Sequence, residues 1–488
     1  MNNDGAPICA VWRRVNPLMY QTLSHPSVSF DQYLPLISSE LANDLAAVAA
    51  DLRDLRVVHL NSTATGGGVA EILQSMVPFM NALGITTERV VINPPPRFFQ
   101  VSKRIHNLLQ GANGELTPEE LKIYFRSIRD VASAIKDHNL TADVWYLHDP
   151  QLLPLAQLLP RDPEAAWFWL IHIDLTAPNP QVLESLLPLT QAYDRLVFSL
   201  DSYVPSQLNG ATPVYIAPPA IDPLSVKNMP MEEPEAARLV AAMGIDPARP
   251  LVTQVSRFDL WKDPCGVVDA YRLARQEVPG LQLALLGLSQ ASDDPEALDV
   301  LASVEEHAAQ DPDIHLYFSP AGLPDSIDIV VNAFQTASQV VVQKSIREGF
   351  GLTVTEAMWK GKAVIGGNVG GIRLQIQDGV SGYLVDTSEE CAWRIVELMQ
   401  DPGLRDRIGQ KARESVRENY LLPRLALDYL KVAKSRLSDA AESNDHQSDV
   451  LPGVEIPDPL AKPAGRRNAR SNGRAASKVR VTRSSSRT

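Results

Sequence analysis

The stretch APPAIDPLSVKNMPMEEPEA, residues 217–236, is crowded with prolines and interrupts an otherwise regular pattern. Upstream of it, from Arg56 onward, apolar runs of strand length alternate with helical patterns, which is the signature of βα units and a parallel sheet. Downstream of it, the alternation begins again at PLVTQV, residues 250–255. We therefore predict an α/β protein with two sheets, joined by a linker near residues 218–234 and facing each other across a cleft.

The size of the chain indicates more than one domain, and its charge argues against a folded body that binds nucleic acid. With 488 residues the chain is too long for one compact core, and the usual domain size suggests about two to three domains. The formal net charge is −13, yet residues 461–488 carry nine Lys or Arg and no acid, so the rest of the chain carries −22. A folded body of that charge is a poor surface for nucleic acid, and we expect the Ser- and Arg-rich tail to be disordered.

The sequence shows neither a membrane segment nor a cysteine motif. No apolar run approaches the ~20 residues needed to cross a bilayer, and the N-terminus lacks a basic start followed by an apolar stretch. We therefore expect a cytoplasmic protein without a membrane partner. Cys9, Cys265 and Cys391 lie too far apart to suggest a disulfide framework or a close-spaced zinc site.

Ligands of parallel α/β sheets bind at the carboxyl ends of the strands, so the residues after each strand are the first candidates. The strand RVVHLN leads to Gly66, Gly67 and Gly68 ahead of a helix, where open backbone and free amides suit an anion. A tight turn explains these glycines equally well, and they match neither the dinucleotide fingerprint nor the P-loop. After PLVTQV come Arg257 and Lys262, which could hold a diphosphate or be two surface cations.

A third candidate lies in VVVQKSIREGFGLTVTEAM, residues 340–358. Glu348 stands in the loop beside two glycines, where its carboxylate could accept hydrogen bonds from sugar hydroxyls. Glu356 follows eight residues later, in a helix that we expect to begin near Thr353. A capping box between Thr353 and Glu356 is a sufficient structural explanation for the second carboxylate, but the first has no such explanation.

The first half of the chain adds YLHDP and IHIDL, again at strand ends, with His148, Asp149, His172 and Asp174. Histidine with aspartate can bind a metal, but Asp149 precedes a proline, which is a common turn signal. The one Asp-X-Asp of the chain, at 311–313, has a proline in its centre and is typical of a turn. We therefore expect no metal and no other cofactor.

Together these motifs resemble the retaining glycosyltransferases of the two-Rossmann-domain, or GT-B, type, the large family that includes sucrose synthases and glycogen synthases. The Arg257/Lys262 pair and the spacing of Glu348 and Glu356 carry this resemblance. More narrowly, HLNSTATGGGVAEIL, HDPQ, HIDLTAPN, TQVSRFDLWK and SIREGFGLTVTEAMWKGK are similar to the trehalose glycosyltransferring synthases. The likeness covers roughly residues 50–435.

The resemblance implies a GT-B type α/β fold, with two Rossmann-like domains whose parallel sheets face each other across a cleft. The expected parts are an N-terminal extension at 1–50, an N-terminal Rossmann-like acceptor domain at 51–222, a C-terminal Rossmann-like nucleotide-sugar domain at 235–420, a helix at 421–438 that packs back on the N-terminal domain, and the disordered basic tail at 439–488.

The resemblance also assigns roles. Arg257 and Lys262 would bind the donor diphosphate, Glu348 the donor glucose hydroxyls, and Glu356 the ribose hydroxyls. The residues expected to be catalytic are Arg257, Lys262, Glu348 and His172. The residues expected to bind the donor are Gly67, Gly68, Arg257, Lys262, Glu348, Gly349, Phe350, Gly351, Leu352 and Glu356. The residues expected at the acceptor are Asp149 and His172. The chain departs from the family at Asp263, where a glycine is usual, which would place a carboxylate near the phosphates.

The implied reaction joins glucose from a nucleoside-diphosphate glucose to free glucose, retains the α configuration and gives α,α-1,1-linked trehalose. The expected partners are these small molecules, and a homodimer stays open. One alternative is a trehalose phosphorylase, which uses inorganic phosphate and has no need of ribose and base contacts. Another is a catalytically silent sugar- or nucleotide-binding protein, which turnover would exclude.

Overall fold

A computed structural model gives the structure of the chain and describes residues 19–208, 212–288 and 297–444. Within these residues two sheets are flanked by helices, which confirms the α/β class. The disordered tail was expected at 439–488, but residues 439–444 belong to the helix Leu422–Asn444, so this boundary is wrong. Residues 445–488 and Cys9 lie outside the described residues, and the expectations placed on them stay predictions.

The described residues of the first half form a sheet of seven strands. The strands are β1 (Tyr20–Leu23), β2 (Arg56–Asn61), β3 (Thr86–Ile92), β4 (Val144–His148), β5 (Ala166–Ile171), β6 (Arg195–Phe198) and β7 (Val214–Ile216). Their spatial order is β1-β3-β2-β4-β5-β6-β7, and all neighbours are parallel except β1, which is antiparallel to β3. The helices of this half are α1 (Ser39–Asp51), α2 (Gly68–Ala82), α3 (Pro96–Leu109), α4 (Pro118–Asp137), α5 (Leu155–Leu158) and α6 (Pro180–Thr190).

The sequence of this sheet explains its layers. Every residue of β4 and β5 is buried, since helices cover both faces of central parallel strands, and this is why VWYLH and AWFWLI are almost wholly apolar. Part of the expected N-terminal extension belongs to the same domain. β1 adds an edge strand, and α1 buries Leu45, Val48 and Ala49. The boundary expected at residue 50 therefore cuts through a packed unit.

The second sheet has six strands, all parallel, among the described residues. The strands are β8 (Leu251–Val255), β9 (Gln282–Leu286), β10 (Ile314–Tyr317), β11 (Val340–Gln343), β12 (Ala363–Gly367) and β13 (Tyr383–Val385). Their order is β10-β9-β8-β11-β12-β13. The remaining helices are α7 (Glu233–Ala242), α8 (Pro264–Ala274), α9 (Ala297–Ala308), α10 (Ile327–Ala337), α11 (Leu352–Trp359), α12 (Ile372–Gln375), α13 (Ser388–Gln400), α14 (Pro402–Asn419) and α15 (Leu422–Asn444).

The chain crosses between the two sheets twice. Residues 217–232 contain no helix and no strand, as expected for the linker. At the other end α15 returns to the first domain, where the Tyr146 hydroxyl donates to the carbonyl of Tyr429 over 2.7 Å. Lys431 pairs with Asp44 of α1 at 3.0 Å. Helix α15 thus packs against the first domain, and the Lys431–Asp44 pair joins two residues that lie far apart in the sequence.

The strand order locates the ligand-binding edges. In the first sheet the chain builds outward from β2 to β3 and then turns back to start β4 on the other side of β2. In the second sheet it builds from β8 to β9 and β10, and then returns to place β11 on the other side of β8. A crevice forms at the carboxyl ends of strands where the order reverses. The loops after β2, β4, β8 and β11 are therefore the places to look for a site.

Candidate active site

Lys262 and Glu348 meet at the switch point of the second sheet. Lys262 ends a short 3-10 helix, Leu260–Lys262, that follows β8, and Glu348 lies on the loop after β11. The Lys262 Nζ lies 2.5 Å from Glu348 Oε2, and the Ser345 hydroxyl donates to the same oxygen over 3.2 Å. Both side chains are largely buried, so their attraction is screened less than that of a surface pair. The fold thus joins two of the residues expected to be catalytic.

Arg257 lies close to the same strand end. It is two residues beyond β8 and pairs with Asp259, with 3.6 Å between Arg257 Nη2 and Asp259 Oδ2. About a third of its side chain is exposed, at 31%. Part of the Arg257 side chain therefore stays accessible to solvent.

Asp263 has a structural role that the sequence does not reveal. It adopts the left-handed conformation, with φ 48° and ψ 52°, which explains why glycine suits this position. Its Oδ1 accepts the Gly266 N–H at the start of α8 over 3.2 Å, and its Oδ2 accepts from the Lys344 ammonium. The Asp263 carboxylate is thus engaged in a helix cap and an ion pair, and its expected place near the phosphates stays a prediction.

The loop after Glu348 differs in detail from the expectation. Gly351, at φ 87°, caps α11, which begins at Leu352 rather than near Thr353. The Phe350 side chain is buried, with its ring centre 5.7 Å from that of Tyr420, so only the backbone of Phe350 can face a ligand. The first amides of α11 have no partner within the helix, and they are suitable donors for an anion.

The first domain holds this loop directly. The Tyr203 hydroxyl lies 2.9 Å from the carbonyl oxygen of Glu348 and 2.7 Å from that of Gly349. Gly349 also approaches the other domain so closely that a Cβ there would lie 3.1 Å from the carbonyl oxygen of His172. The expected donor loop and the expected acceptor strand end are therefore in contact.

A second contact joins the domains nearby. The Arg347 Nε lies 4.0 Å from Asp174 Oδ2, and its guanidinium carbon lies 5.0 Å from the ring centre of Trp261. Asp174, one of the four strand-end candidates, thus faces the second domain.

Glu356 is placed differently from the expectation. It is the fifth residue of α11, beyond the capping-box position, and its side chain is fully buried. Its Oε1 lies 3.5 Å from the Nζ of Lys227 in the linker, and Gln335 Nε2 donates to Oε2 over 3.4 Å. Lys227 also binds Glu71 of α2 at 2.7 Å. The capping-box prediction is wrong, while the expected contact of Glu356 with a ribose stays a prediction.

The glycine turn after β2 lies against the same loop. Gly66 and Gly67 take left-handed φ values of 79° and 86°, and α2 begins at Gly68. A Cβ on Gly68 would lie 3.3 Å from Leu352 Cδ1. Two loops that were expected to bind the donor, one from each domain, are thus brought together.

Asp149 sits in a strained conformation beside His172. Its φ of 62° and ψ of 173° belong to a region that is almost confined to glycine. The Asp149 N–H donates to Leu170 O over 2.8 Å, and the Trp169 indole N–H donates to Asp149 O over 2.9 Å. Asp149 Oδ1 accepts the backbone N–H of His172 over 2.9 Å. The two residues expected at the acceptor are therefore linked, and Asp149 helps to hold His172 in place.

Three histidines form a chain that leads to His172. His59 Nδ1 lies 3.1 Å from His148 Nε2, and His148 Nδ1 lies 3.0 Å from His172 Nε2. His59 and His148 are buried on β2 and β4, while His172 is partly exposed after β5. Burial lowers the pKa of all three rings, and the positive charge of Arg89 helps to lower that of His59 to about 3. The three rings are therefore neutral at pH 7.

Other classes of site are absent from the described part of the chain. No group of three or more His, Cys, Asp or Glu residues is arranged there to hold a metal ion. Cys265 and Cys391 are free thiols. No helix among the described residues is long and apolar enough to span a membrane.

Comparison with known proteins agrees with this geometry. Residues 59–205 match the family described as the N-terminal domain of trehalose synthase, and residues 237–415 match the glycosyl transferases of group 1. A trehalose synthase of Rubrobacter xylanophilus is 42% identical over 423 residues, which cover 86% of this chain and 98% of that protein.

This chain belongs to the trehalose synthase family. A second member, from Pyrococcus horikoshii, is 39% identical over 86% of this chain and 99% of its own length. A trehalose phosphorylase of Pleurotus pulmonarius is more distant, at 28% identity over 79% of this chain and 58% of that protein. The chain is thus a trehalose-related glycosyltransferase.

Solved structures confirm the GT-B fold of this trehalose synthase family member. Sucrose-phosphate synthase from Thermosynechococcus elongatus aligns with a TM-score of 0.60 and 18% identity, over 79% of this chain and 99% of the other. The Escherichia coli structure of trehalose-6-phosphate bound with UDP-2-fluoro glucose aligns with a TM-score of 0.62 and 14% identity, over 79% and 98%. At such identities the likeness concerns the fold alone.

The sequence did not point to two parts of this family member's site. His59 lies inside β2, and nothing in RVVHLN distinguishes it from a core residue. Arg89, also within a strand, is buried and donates to the carbonyls of Thr63 and Ala64, which supports the turn ahead of the glycines. Each of these strands carries other polar residues as well, so a polar letter within the strand does not say which neighbour it meets.

Proposed function

We propose that the protein transfers glucose from a nucleoside-diphosphate glucose to free glucose with retention, and so forms α,α-1,1-linked trehalose. The observation that carries the proposal is the Lys262–Glu348 pair, held at 2.5 Å at the switch point of the second sheet. The membership of the trehalose synthase family supports the choice of product. A nucleotide-sugar donor is supported by the cations Arg257 and Lys262 at this strand end, which suit a diphosphate.

The chemistry follows from the charges at this site. When the donor enters, its diphosphate replaces Glu348 as the partner of Lys262, and the freed carboxylate accepts hydrogen bonds from the glucose hydroxyls. As the anomeric carbon–oxygen bond breaks, negative charge grows on the phosphate and the sugar gains oxocarbenium character. Lys262, Arg257 and the first amides of α11 stabilise that leaving group, and one such contact typically contributes about 3 kcal/mol. The acceptor attacks from the same face, and its proton passes to the departing phosphate.

The direct test uses the purified full chain with glucose and ADP-, UDP- or GDP-glucose in turn. We expect trehalose by chromatography, α,α-linkage by NMR, and the matching nucleoside diphosphate in equal amount. A further incubation contains trehalose and inorganic phosphate. Glucose 1-phosphate formed there, with no product from any nucleotide sugar, would replace the proposal by a phosphorylase. Binding without turnover in all incubations would replace it by a silent binding protein.

A pair of variants tests the role of Lys262 in this reaction. Lys262→Ala should lower kcat, because its charge is needed most when the phosphate departs. Lys411→Ala is the matched variant, since Lys411 pairs with Glu414 on the surface of α14 and should leave kcat unchanged.

We also expect turnover to continue in EDTA, since the two cations Arg257 and Lys262 and the helix-start amides offset the charge of the diphosphate. Activity lost to EDTA and restored by Mg²⁺ would contradict the metal-free mechanism.

A further inference from the structure

The chain of three imidazoles connects the interior of the first domain to the cleft. The ring centres of His148 and His172 lie 5.2 Å apart with only 10° between the ring planes, and His59 stacks on Tyr146 with ring centres 4.6 Å apart. Each ring can therefore turn little, and both nitrogen contacts are held in place by packing. His172 is the member nearest the second domain, since its carbonyl faces Gly349.

The two contacts must run in the same direction. A neutral imidazole has one N–H and one lone pair, so if His148 donates through Nδ1 to His172, its Nε2 must accept from His59. In that direction His59 Nε2 carries only a lone pair. In the opposite direction His59 Nε2 would carry an N–H.

The surroundings of His59 decide between the directions. His59 Nε2 is buried and has no hydrogen-bond partner among the described residues. A buried N–H without a partner is rarer than an unsatisfied acceptor, and leaving it unpaired costs the desolvation free energy of the group. Arg89, which lies in register with His59 on the neighbouring strand, adds a positive charge that disfavours a further proton there. The lower-energy arrangement therefore donates outward, from His59 to His148 to His172.

We propose that His59 and His148 are positioning residues that fix the tautomer of His172, so that His172 carries its proton on Nδ1 and presents that N–H as a hydrogen-bond donor to a sugar oxygen. The Asp149 carboxylate completes the arrangement by holding the His172 backbone N–H at 2.9 Å. The function of this donor rests on the proposed glucosyl transfer, whereas the tautomer itself does not. A donor at this place can recognise a hydroxyl or ether oxygen of glucose, but it cannot act as a base.

The test reads the tautomer and the kinetics separately. Long-range ¹H–¹⁵N correlation spectra of the full chain show which ring nitrogen of each histidine is protonated, and a His172→Gln variant assigns the His172 signals among the nine histidines. We expect a single neutral tautomer for His172, with the proton on Nδ1. His59→Phe removes the first donor and should give a mixture of both tautomers at His172. His59→Asn keeps an amide near the position of Nδ1 and should restore the single tautomer.

The kinetic effect should follow the spectra. We expect His59→Phe to lower kcat/KM about five- to tenfold, the equivalent of one neutral hydrogen bond, and His59→Asn to recover most of it. His315→Phe is the matched control, because its ring stacks on Tyr317 in the second sheet and should change neither readout. Circular dichroism and melting temperature are measured for every variant.

The outcomes separate the two proposals. A proton on His172 Nε2 in the wild type, or an unchanged tautomer in a folded His59→Phe variant, overturns the positioning role. The expected spectra combined with no trehalose formation would leave the tautomer assignment standing and reject the glucosyl transfer. The expected spectra with unaltered kcat/KM in His59→Phe would show that the donor does not reach the substrate, and would overturn that half of the proposal.

Discussion

The substitution Gly371→Ala tests how closely the loop that carries Glu348 must be held. A Cβ on Gly371 would lie 2.4 Å from Phe350 Cα, 2.8 Å from Gly349 O and 2.9 Å from Phe350 O. All three are backbone atoms, so no side-chain rotation can relieve the overlap. Gly371 has φ −66°, which any residue adopts, and the effect of the substitution is therefore purely steric.

The size of the displacement sets the expected effect. Ordinary van der Waals contacts of a Cβ begin at 3.4 Å, so the 2.4 Å contact requires the loop and α12 to separate by about 1 Å. A shift of about 1 Å in a positioned catalytic group typically lowers the rate about a hundredfold. The same overpacking should lower the free energy of unfolding by about 1–3 kcal/mol, which leaves the protein folded.

The assay measures trehalose formation from the preferred nucleotide sugar, together with urea unfolding. Gly403→Ala is the matched control: in the first turn of α14 the new methyl would meet only side-chain atoms, Asp401 Oδ1 at 3.3 Å and Arg407 Nη1 at 3.4 Å, and no backbone atom. We expect that control to keep wild-type kinetics. If Gly371→Ala also keeps kcat/KM within a factor of two, the loop does not position Glu348 as we infer.

Three further predictions address other parts of the site. Lys227→Met leaves the fully buried Glu356 without its cation and should lower the free energy of unfolding by about 3 kcal/mol. The double variant with Glu356→Gln should recover most of that loss. If it does not, the ion pair is not the cause. Asp149→Asn should raise the KM for glucose about ten- to a hundredfold with donor affinity unchanged, since Asn can still accept the His172 N–H; equal loss of donor affinity would remove Asp149 from the acceptor site. Because the pKa of His59 in the folded protein is lowered to about 3, the unfolded chain binds an extra proton below pH ~6.5, and the free energy of unfolding should fall by up to about 1.4 kcal/mol per pH unit as the pH drops from there. In urea titrations at pH 7, 6 and 5, His59→Phe should show a shallower fall than the wild type. An identical slope would contradict this assignment.

Local sequence patterns determined the architecture of this protein. The run AWFWLI is recognisable because a strand covered on both faces is apolar along its whole length, whereas RVVHLN and PLVTQV stand out as short runs rich in valine and leucine between helical patterns. The prolines of residues 217–236 marked the linker for an equally local reason, since they cannot continue a helix or the interior of a sheet. The same patterns point to the carboxyl ends of these strands as candidate sites.

The sequence predicts the residues of the candidate site only in part. Lys262 and Glu348 could be named because each follows a strand, but their contact depends on β11 returning to lie beside β8. Glu356 was expected in a capping box, and the start of α11 at Leu352 instead turned it inward onto Lys227 of the linker. Glu356 is the fifth helical residue rather than the third, and two residues are about 200° of rotation at 3.6 residues per turn, so a boundary error within the usual range decides which way a side chain points.

Only the tertiary structure could show the histidine chain and the role of Asp263. His59, His148 and His172 come from three successive positions in the strand order β2-β4-β5, although 113 residues separate the first from the last in the sequence. Asp263 is tolerated in a left-handed conformation because Gly266 and Lys344 satisfy its carboxylate. The physical reason is the same in both cases: a periodic pattern records which face of an element is buried, whereas a hydrogen bond depends on which other element that face meets.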